Sequence, residues 1–211
     1  KTTYETVIGS NQLTVIDEVT NLRAVPAELE LLYHINMGRP LLEDGSRLVA
    51  PALEVAPRDA RAVEGIKSYA AYAGPTAGYV EQVYFFDLVA DAQGQTSVLL
   101  RNSAGDKGLS LHFDKRQLPC FTLWKNTQAE ADGYVTGLEP ATNYPNLKTF
   151  EREKGRVIAL APGGNHQTRI DMQIHDSTQS VQQVEHRIAG LQQEHATRVH
   201  DRPQARFSPG A

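Results

Sequence analysis

The chain has 211 residues, 40% hydrophobic and 22% charged, with a formal net charge of -4 and a pI near 6.0. This length suits one domain with a substantial core, and the acidic balance without a Lys/Arg cluster argues against a nucleic-acid partner. No apolar run approaches the ~20 residues of a membrane-spanning helix, the polar opening KTTYETVIGS lacks a signal-peptide pattern, and the single cysteine, Cys120, excludes an internal disulfide and fits a reducing, cytoplasmic location.

Short strands separated by turn signals dominate the chain. The segment GRPLLEDGSRLVAP (38–51) is interpreted as a loop because it holds Pro40, Gly45 and Pro51. About ten strands at this spacing are typical of an all-β sandwich. The clearest candidates, in chain order, are NQLTVIDEV (11–19), ELELLYHIN (28–36), YVEQVYFFDLVAD (79–91), TSVLLRN (96–102), LSLHFD (109–114), CFTLWKN (120–126), YVTGLEP (134–140), GRVIALAPGG (155–164) and QTRIDMQIH (167–175).

The last of these strands shows a two-residue period. Ile170, Met172 and Ile174 share one face, while Arg169 and Asp171 share the other. Alternation of this kind predicts an antiparallel sheet with one buried and one solvated face.

The composition changes after Asp176, which divides the chain into a sandwich domain (1–176), an amphipathic helix (177–200) and a flexible tail (201–211). Val181, Val184, Ile188 and Leu191 form one apolar stripe at helical spacing, and Ser177 or Thr178 can cap the helix. We expect this helix to lie on the sandwich. A contact with a second copy or another chain is the less favoured alternative, because the stripe lasts under two heptads.

Two groups of polar residues stand next to apolar strand segments. His34 and Asn36 lie two apart in LLYHINMGRPLL, and Glu139 ends a strand just before Asn143. A buried ionisable group needs a partner or a ligand, so both groups are candidates for chemistry. The alternatives are a core histidine bonded to backbone and a salt bridge from Glu139 to Lys125 or Arg169.

A metal site is the weakest of the chemical interpretations. His34, His112 and His166 lie on predicted strands, and imidazoles on neighbouring strands can converge. The spacing has neither a His-x-His pair nor a carboxylate at a fixed offset, so no metal is expected.

Five segments resemble, in the same order, landmarks of the aldose 1-epimerase (galactose mutarotase-like) superfamily, and most closely an uncharacterised branch of it. They are YHINMGRPLL, GYVEQVYFFDL, LPCFTLWKN, GLEPATNYPN and RVIALAPGGNHQTRI. The resemblance runs from about Thr14 to His175. It implies an antiparallel β-supersandwich that interconverts the α- and β-anomers of a free sugar or sugar derivative without metal or organic cofactor.

The resemblance also implies residue roles. Glu139 matches the general base that takes the proton of the anomeric hydroxyl, and His34 matches the acid that protonates the ring oxygen. Residues that would hold the sugar are Glu81, Gln82, Asn36, Lys125, Asn143 and Trp124, the last by stacking. Carboxylate and imidazole suit these roles because their pKa values lie within reach of neutrality.

Two expectations follow from this resemblance. Glu139 and His34 should face each other across one site with room for a pyranose between them. Only 33 residues precede His34, whereas family members have a sizeable half before it, so the chain resembles the C-terminal two-thirds of a member. An absent or separately bound N-terminal segment would complete the pocket, and a homo-oligomer is the other partner left open. The alternative function is a non-catalytic carbohydrate-binding β-sandwich.

Overall fold

Two six-stranded β-sheets form the protein, with a two-stranded ribbon beside them. A computed structural model describes residues 1–209. In this part of the chain neighbouring strands are antiparallel, apart from one short parallel pair near the C-terminus. The expected all-β antiparallel sandwich with a C-terminal helix is confirmed.

The elements have the following bounds. The strands are β1 (Thr2–Glu5), β2 (Gln12–Thr20), β3 (Ala27–Leu29), β4 (Ile35–Met37), β5 (Arg47–Val49), β6 (Ala52–Pro57), β7 (Gln82–Leu88), β8 (Gln95–Arg101), β9 (Gly108–Asp114), β10 (Cys120–Asn126), β11 (Val135–Ala141), β12 (Ile158–Leu160), β13 (Asn165–His175) and β14 (Arg198–Val199). The helices are α1 (Ala60–Glu64), α2 (Lys148–Glu153) and α3 (Thr178–Gln192), and 3₁₀ turns span Ile66–Ser68 and Glu130–Asp132.

The core lies between the two large sheets. The first sheet has the order β1-β2-β13-β9-β8-β5 and the second has the order β14-β6-β7-β10-β11-β4. Alternate residues of each strand point into the core, because side chains switch faces with every residue of a strand. Leu100, Leu111 and Ile170 enter it from the first sheet, and Phe86 and Leu123 enter it from the second.

β7 differs from its neighbours because both of its faces are covered. Tyr84 and Phe86 belong to the main core, whereas Val83 and Phe85 join a second apolar cluster on the opposite face. This explains why residues 82–86 read as a continuous buried run, as expected for a strand that is packed on both sides.

α3 lies on the outer face of the first sheet. Ser177 caps it, its hydroxyl accepting a hydrogen bond from the backbone N–H of Ser180 at 3.3 Å. Val181, Val184 and Ile188 are buried against Leu99. The apolar stripe therefore has its partner within the same chain, as the sequence favours.

The C-terminal segment departs from the flexible tail expected over 201–211. Phe207 is fully buried in the second cluster, and Arg206 forms ion pairs with Glu54 and Asp87. One aromatic anchor and two ion pairs hold residues 201–208 against the second sheet. Residues 210 and 211 of the expected tail lie outside the described residues.

The loop after β11 is held by a buried carboxylate in α2. Glu151 is fully buried, and both of its oxygens bond the guanidinium of Arg156, at 2.6 and 2.7 Å. It also accepts the backbone N–H of Tyr144 and the side-chain amide of Asn146. These four bonds fix the chain directly after the strand that carries Glu139.

Replacing this carboxylate by the amide of matching size should destabilise the fold. In Glu151→Gln the half-buried guanidinium of Arg156 loses its counter-charge. Breaking a fully buried pair costs about 3–5 kcal/mol, and we expect a smaller loss here because Arg156 is partly exposed. Urea denaturation followed by circular dichroism measures this loss. Glu153→Gln, an exposed change in the same helix, serves as the control; equal midpoints for the two variants would contradict the anchoring role.

Candidate active site

Strand pairing gathers the candidate residues on one face of the second sheet. Trp124 lies opposite Gly137 in the register of β10 and β11, and Gly137 lies opposite Asn36 of β4. Glu139 is two residues further along β11, on the same side of the sheet. We call this side, which is turned away from the main core, the cleft face.

Glu139 is a buried carboxylate without a hydrogen bond to one of its oxygens. The residue is only 3% exposed, and its Oε1 lies 3.0 Å from Nε2 of His34. The contact lies outside hydrogen-bond geometry, and no other donor among residues 1–209 satisfies Oε1. The arrangement leaves a buried acceptor directed at the imidazole.

The surroundings of Glu139 favour its protonated form. Burial raises the pKa of this carboxyl to about 7, the negative charge of Glu81 adds to the increase, and the guanidinium of Arg58 opposes it. A carboxyl with a pKa near neutrality can exchange a proton in either direction at physiological pH.

His34 lies at the open side of this pair. Its side chain is 44% exposed, its Nδ1 lies 2.7 Å from Oδ1 of Asn36, and its ring meets Trp124 edge-on at 5.1 Å. Because the Asn36 oxygen is an acceptor, this contact assigns a proton to Nδ1 and directs Nε2 at Glu139. The partner of His34 is thus a side chain and not backbone.

The expected gap for a pyranose between the two groups is absent. The imidazole and the carboxylate touch directly, and His34 is the exposed member of the pair. Neither Lys125 nor Arg169 bonds Glu139; the charge of Arg169 is paired with Asp171.

Gly137 makes the close contact possible. A Cβ atom at this position would lie 2.7 Å from Oε1 of Glu139 and 3.0 Å from Cε1 of His34. Any side chain at residue 137 would therefore displace the pair.

A second carboxylate on the cleft face is held by two donors. Glu81 accepts the indole N–H of Trp124 at 2.6 Å and the guanidinium of Arg58 at 3.0 Å. The Trp124 bond is the main cause of the lowered pKa of Glu81, so this group stays ionised. Arg58 also bonds Asp59 at 2.8 Å. Neither Arg58 nor Asp59 was among the sequence candidates, because the strand that ends beside them was not recognised.

Two of the predicted sugar-binding residues point to the other face of the sheet. Lys125 alternates with Trp124, and its ammonium donates to the carbonyls of Ala71 and Tyr69 at 2.6 and 3.2 Å inside the sandwich. Gln82 is also buried there; it accepts from Tyr79 and donates to the carbonyl of Arg61.

Asn143 is separate from both groups. It is buried in the loop after β11, where its amide donates to Glu30 at 3.1 Å and to the carbonyl of Tyr144 at 2.9 Å. The structure thus brings together Glu139, His34, Asn36, Glu81 and Trp124, and leaves Gln82, Lys125 and Asn143 outside the cleft face.

The histidines considered for a metal do not converge. His112 lies between Ser97 and Ser110 on the first sheet. Within residues 1–209 no group of three or more His, Cys, Asp or Glu side chains is arranged to hold a metal ion. None of the helices in the same range has the length and apolar character needed to span a bilayer.

A family model described as "Domain of unknown function (DUF4432)" matches residues 1–174. The chain belongs to this family. In a comparison with curated proteins, no sequence matches the DUF4432 chain.

Solved structures confirm the fold that the motifs imply. A proposed aldose 1-epimerase from Klebsiella pneumoniae has a TM-score of 0.94 and 39% identity over 96% of the DUF4432 chain and 53% of its own. A galactose mutarotase-like protein from Clostridium acetobutylicum has a TM-score of 0.53 and 16% identity, over 79% of this chain and 53% of its own. A proposed aldose 1-epimerase from Escherichia coli K12 has a TM-score of 0.52 and 17% identity, over 78% of this chain and 56% of its own. The fold is galactose mutarotase-like, and the chain spans about half the length of these relatives.

The raised pKa of Glu139 has a measurable consequence for the stability of the DUF4432 chain. A free glutamate titrates near 4.5 and Glu139 near 7, so the unfolded chain releases this proton first and stability falls as pH rises between those values. Above about pH 7 the penalty is constant, on the order of 3 kcal/mol.

Glu139→Gln removes this penalty. The variant should match the parent protein at pH 4.5 and exceed it in stability increasingly up to pH 7, which urea denaturation at several pH values measures. A difference between the two proteins that does not change with pH would contradict the assignment.

Proposed function

We propose that this protein is an aldose 1-epimerase-like isomerase that interconverts the anomers of a free sugar or sugar derivative. The observation that carries the proposal is the buried Oε1 of Glu139, which lacks a hydrogen-bond donor and lies 3.0 Å from an imidazole nitrogen. A sugar hydroxyl is a donor of the kind that this oxygen lacks.

The chemistry requires two proton transfers at neighbouring atoms. Glu139 takes the proton of the anomeric O1–H, and protonated His34 gives a proton to the ring oxygen O5 while the C1–O5 bond breaks. The products are an open-chain aldehyde, a protonated Glu139 and a neutral His34. After rotation about C1–C2, O5 attacks the other face of C1, His34 takes back the O5 proton, and Glu139 returns its proton to O1.

The direct contact between the acid and the base is compatible with this sequence. O1 and O5 are both bonded to C1, so the two protein groups do not have to lie on opposite sides of the sugar. His34 is half exposed and Glu139 is buried, so the imidazole is the partner that moves to admit the substrate.

Other groups on the cleft face would hold the sugar. Glu81 is ionised and presents acceptors for hydroxyls, Asn36 offers an amide next to His34, and the indole of Trp124 offers an apolar surface for a sugar ring. Lys125, Gln82 and Asn143 are not part of this binding role, because their polar atoms bond protein groups elsewhere.

The family relationship supports the same reaction. The Klebsiella pneumoniae structure is described as a proposed aldose 1-epimerase, and this chain spans about half of it, 53%. The activity is therefore proposed for a protein that contains these residues, either alone, with a further segment or as a homo-oligomer. A cytoplasmic location belongs to the same proposal.

Polarimetry of freshly dissolved α-glucose and α-galactose tests the reaction. The protein should accelerate mutarotation, and Glu139→Gln should lower kcat/KM by about 10²–10⁴-fold because a positioned base is lost. The acidic limb of the pH profile of kcat/KM should rise through about pH 7, because only the ionised form of Glu139 can act as the base. Glu153→Gln is the control that leaves the cleft face unchanged.

Binding measured in parallel separates catalysis from the alternative. Sugar binding can be followed by the fluorescence of Trp124, the single tryptophan of the chain. Sugar binding without any acceleration of mutarotation, in the parent protein as well as in Glu139→Gln, would favour the carbohydrate-binding alternative.

Gly137→Ala tests the geometry of the pair without changing either group. The added Cβ would lie 2.7 Å from Oε1 of Glu139, so the carboxylate has to shift. A displacement of about 1 Å costs roughly 10²-fold in rate. We expect kcat/KM to fall by this factor while the far-ultraviolet circular dichroism spectrum is retained; full activity of the variant would exclude the proposed contact as the reacting one.

A further inference from the structure

The C-terminal segment 198–208 crosses the cleft face beside the site. β14 pairs in parallel with β6, and the next backbone N–H, that of His200, donates to the carbonyl of Val55 at 2.9 Å. The segment then continues to Phe207, which is fully buried. The cleft face is therefore partly covered by the end of the chain.

Four contacts fix this segment along its length. His200 bonds Glu54 at 2.7 Å, and Arg206 bonds Glu54 at 2.8 Å and Asp87 at 2.7 Å. The side-chain amide of Asn146 donates to the carbonyl of Phe207 at 2.8 Å. These contacts come from β6, β7 and the loop after β11, so the segment ties three parts of the second sheet together.

Phe207 connects the segment to Trp124 through packing. Its ring meets Tyr144 edge-on at 5.3 Å, in a cluster that also contains Val83 and Phe85. Trp124 packs against the same cluster. Removing the Phe207 ring would leave a cavity in the cluster against which the indole packs.

Ser208 connects the segment to Glu81 through hydrogen bonds. Its hydroxyl donates to the backbone carbonyl of Arg58 at 2.8 Å. The Arg58 guanidinium bonds one oxygen of Glu81 at 3.0 Å, and the indole of Trp124 bonds the other at 2.6 Å. A continuous series of contacts thus leads from Ser208 to the indole, which lies against His34.

We propose that residues 198–208 act as a brace that sets the positions of Trp124 and Glu81, and that Phe207 and Ser208 are positioning residues for the site. Neither residue touches the Glu139–His34 pair; each acts through a group that borders it. The inference uses the site of the proposed function but does not depend on its chemistry, since the position of the indole can be measured in the absence of any substrate.

Loss of the brace should be visible at Trp124 and at Glu139. An indole that leaves the cluster becomes more hydrated, so its emission shifts to the red and acrylamide quenches it more strongly. Charged groups that face Glu139 are His34, Glu81 and Arg58, and burial is the main cause of its raised pKa. Water that enters beside the indole should lower this pKa toward that of a free glutamate.

The experiment compares Phe207→Ala and Ser208→Ala with two controls in the full chain. Arg202→Ala changes an exposed residue of the same segment, and Ile188→Ala removes a buried side chain of α3 on the other sheet. Tryptophan emission, acrylamide quenching and the pH dependence of the emission are recorded for each variant, and the difference between the parent protein and Glu139→Gln identifies the part of that pH dependence that belongs to Glu139. Phe207→Leu and Ser208→Thr keep an apolar group and a hydroxyl and should retain the parent values; Phe207→Val replaces Phe207→Ala if that variant does not fold.

The expected result is a red shift, stronger quenching and a lowered titration midpoint for Phe207→Ala and Ser208→Ala alone. Ile188→Ala should lose thermal stability with unchanged emission and midpoint. The proposal is overturned if the two brace variants lose stability in the same way as Ile188→Ala and leave Trp124 and the midpoint unchanged. Because no readout involves a sugar, failure of the epimerase proposal would leave this result interpretable.

Discussion

A buried carboxylate oxygen without a hydrogen-bond donor is the constraint on which the site depends. Placing Glu139 in a position that is 3% exposed costs free energy, because an ionised group loses its hydration and gains no protein donor at Oε1. The neighbours relieve little of this cost: the negative charge of Glu81 outweighs the guanidinium of Arg58, and Gly137 offers no side chain. Such an arrangement is poor for stability and suited to proton exchange near neutrality.

The alternation of side chains along two paired strands decides which residues can take part. In β10, Trp124 points to the cleft face and Lys125 points to the sandwich interior, where its ammonium is satisfied by backbone carbonyls. A shift of one residue in the pairing of β10 with β11 would exchange these environments. The register therefore places the Lys125 ammonium inside the sandwich and the Trp124 indole on the cleft face.

Local sequence patterns predict the bounds of those strands that pair with another strand on each side. The segments 96–102, 109–114, 120–126 and 134–140 coincide with β8 to β11 within one residue. The helix expected over 177–200 begins as predicted but ends at Gln192, and Arg198–Val199 forms β14 instead. ELELLYHIN was read as one strand but divides into β3 and β4, because its first part pairs with β12 and its last part with β11. β5 and β6 were missed, since Pro51 separates two short strands in a segment rich in turn residues. With β6 unrecognised, Arg58 could not be placed beside Glu81.

Glu139 and His34 could be proposed from the sequence because each borders an apolar strand, but the contact between them is a product of tertiary structure. β4 reaches β11 only after the chain has crossed both sheets, and the final distance depends on the missing side chain of Gly137. The role of Phe207 cannot be predicted from the local sequence, because a single aromatic residue among polar and turn residues has no periodicity. Phe207 is buried because its ring packs into the apolar cluster that contains Val83, Phe85 and Tyr144. The same face of one sheet is thus covered by the chain's own end on one side and exposed at His34 on the other, and Trp124 contacts both regions.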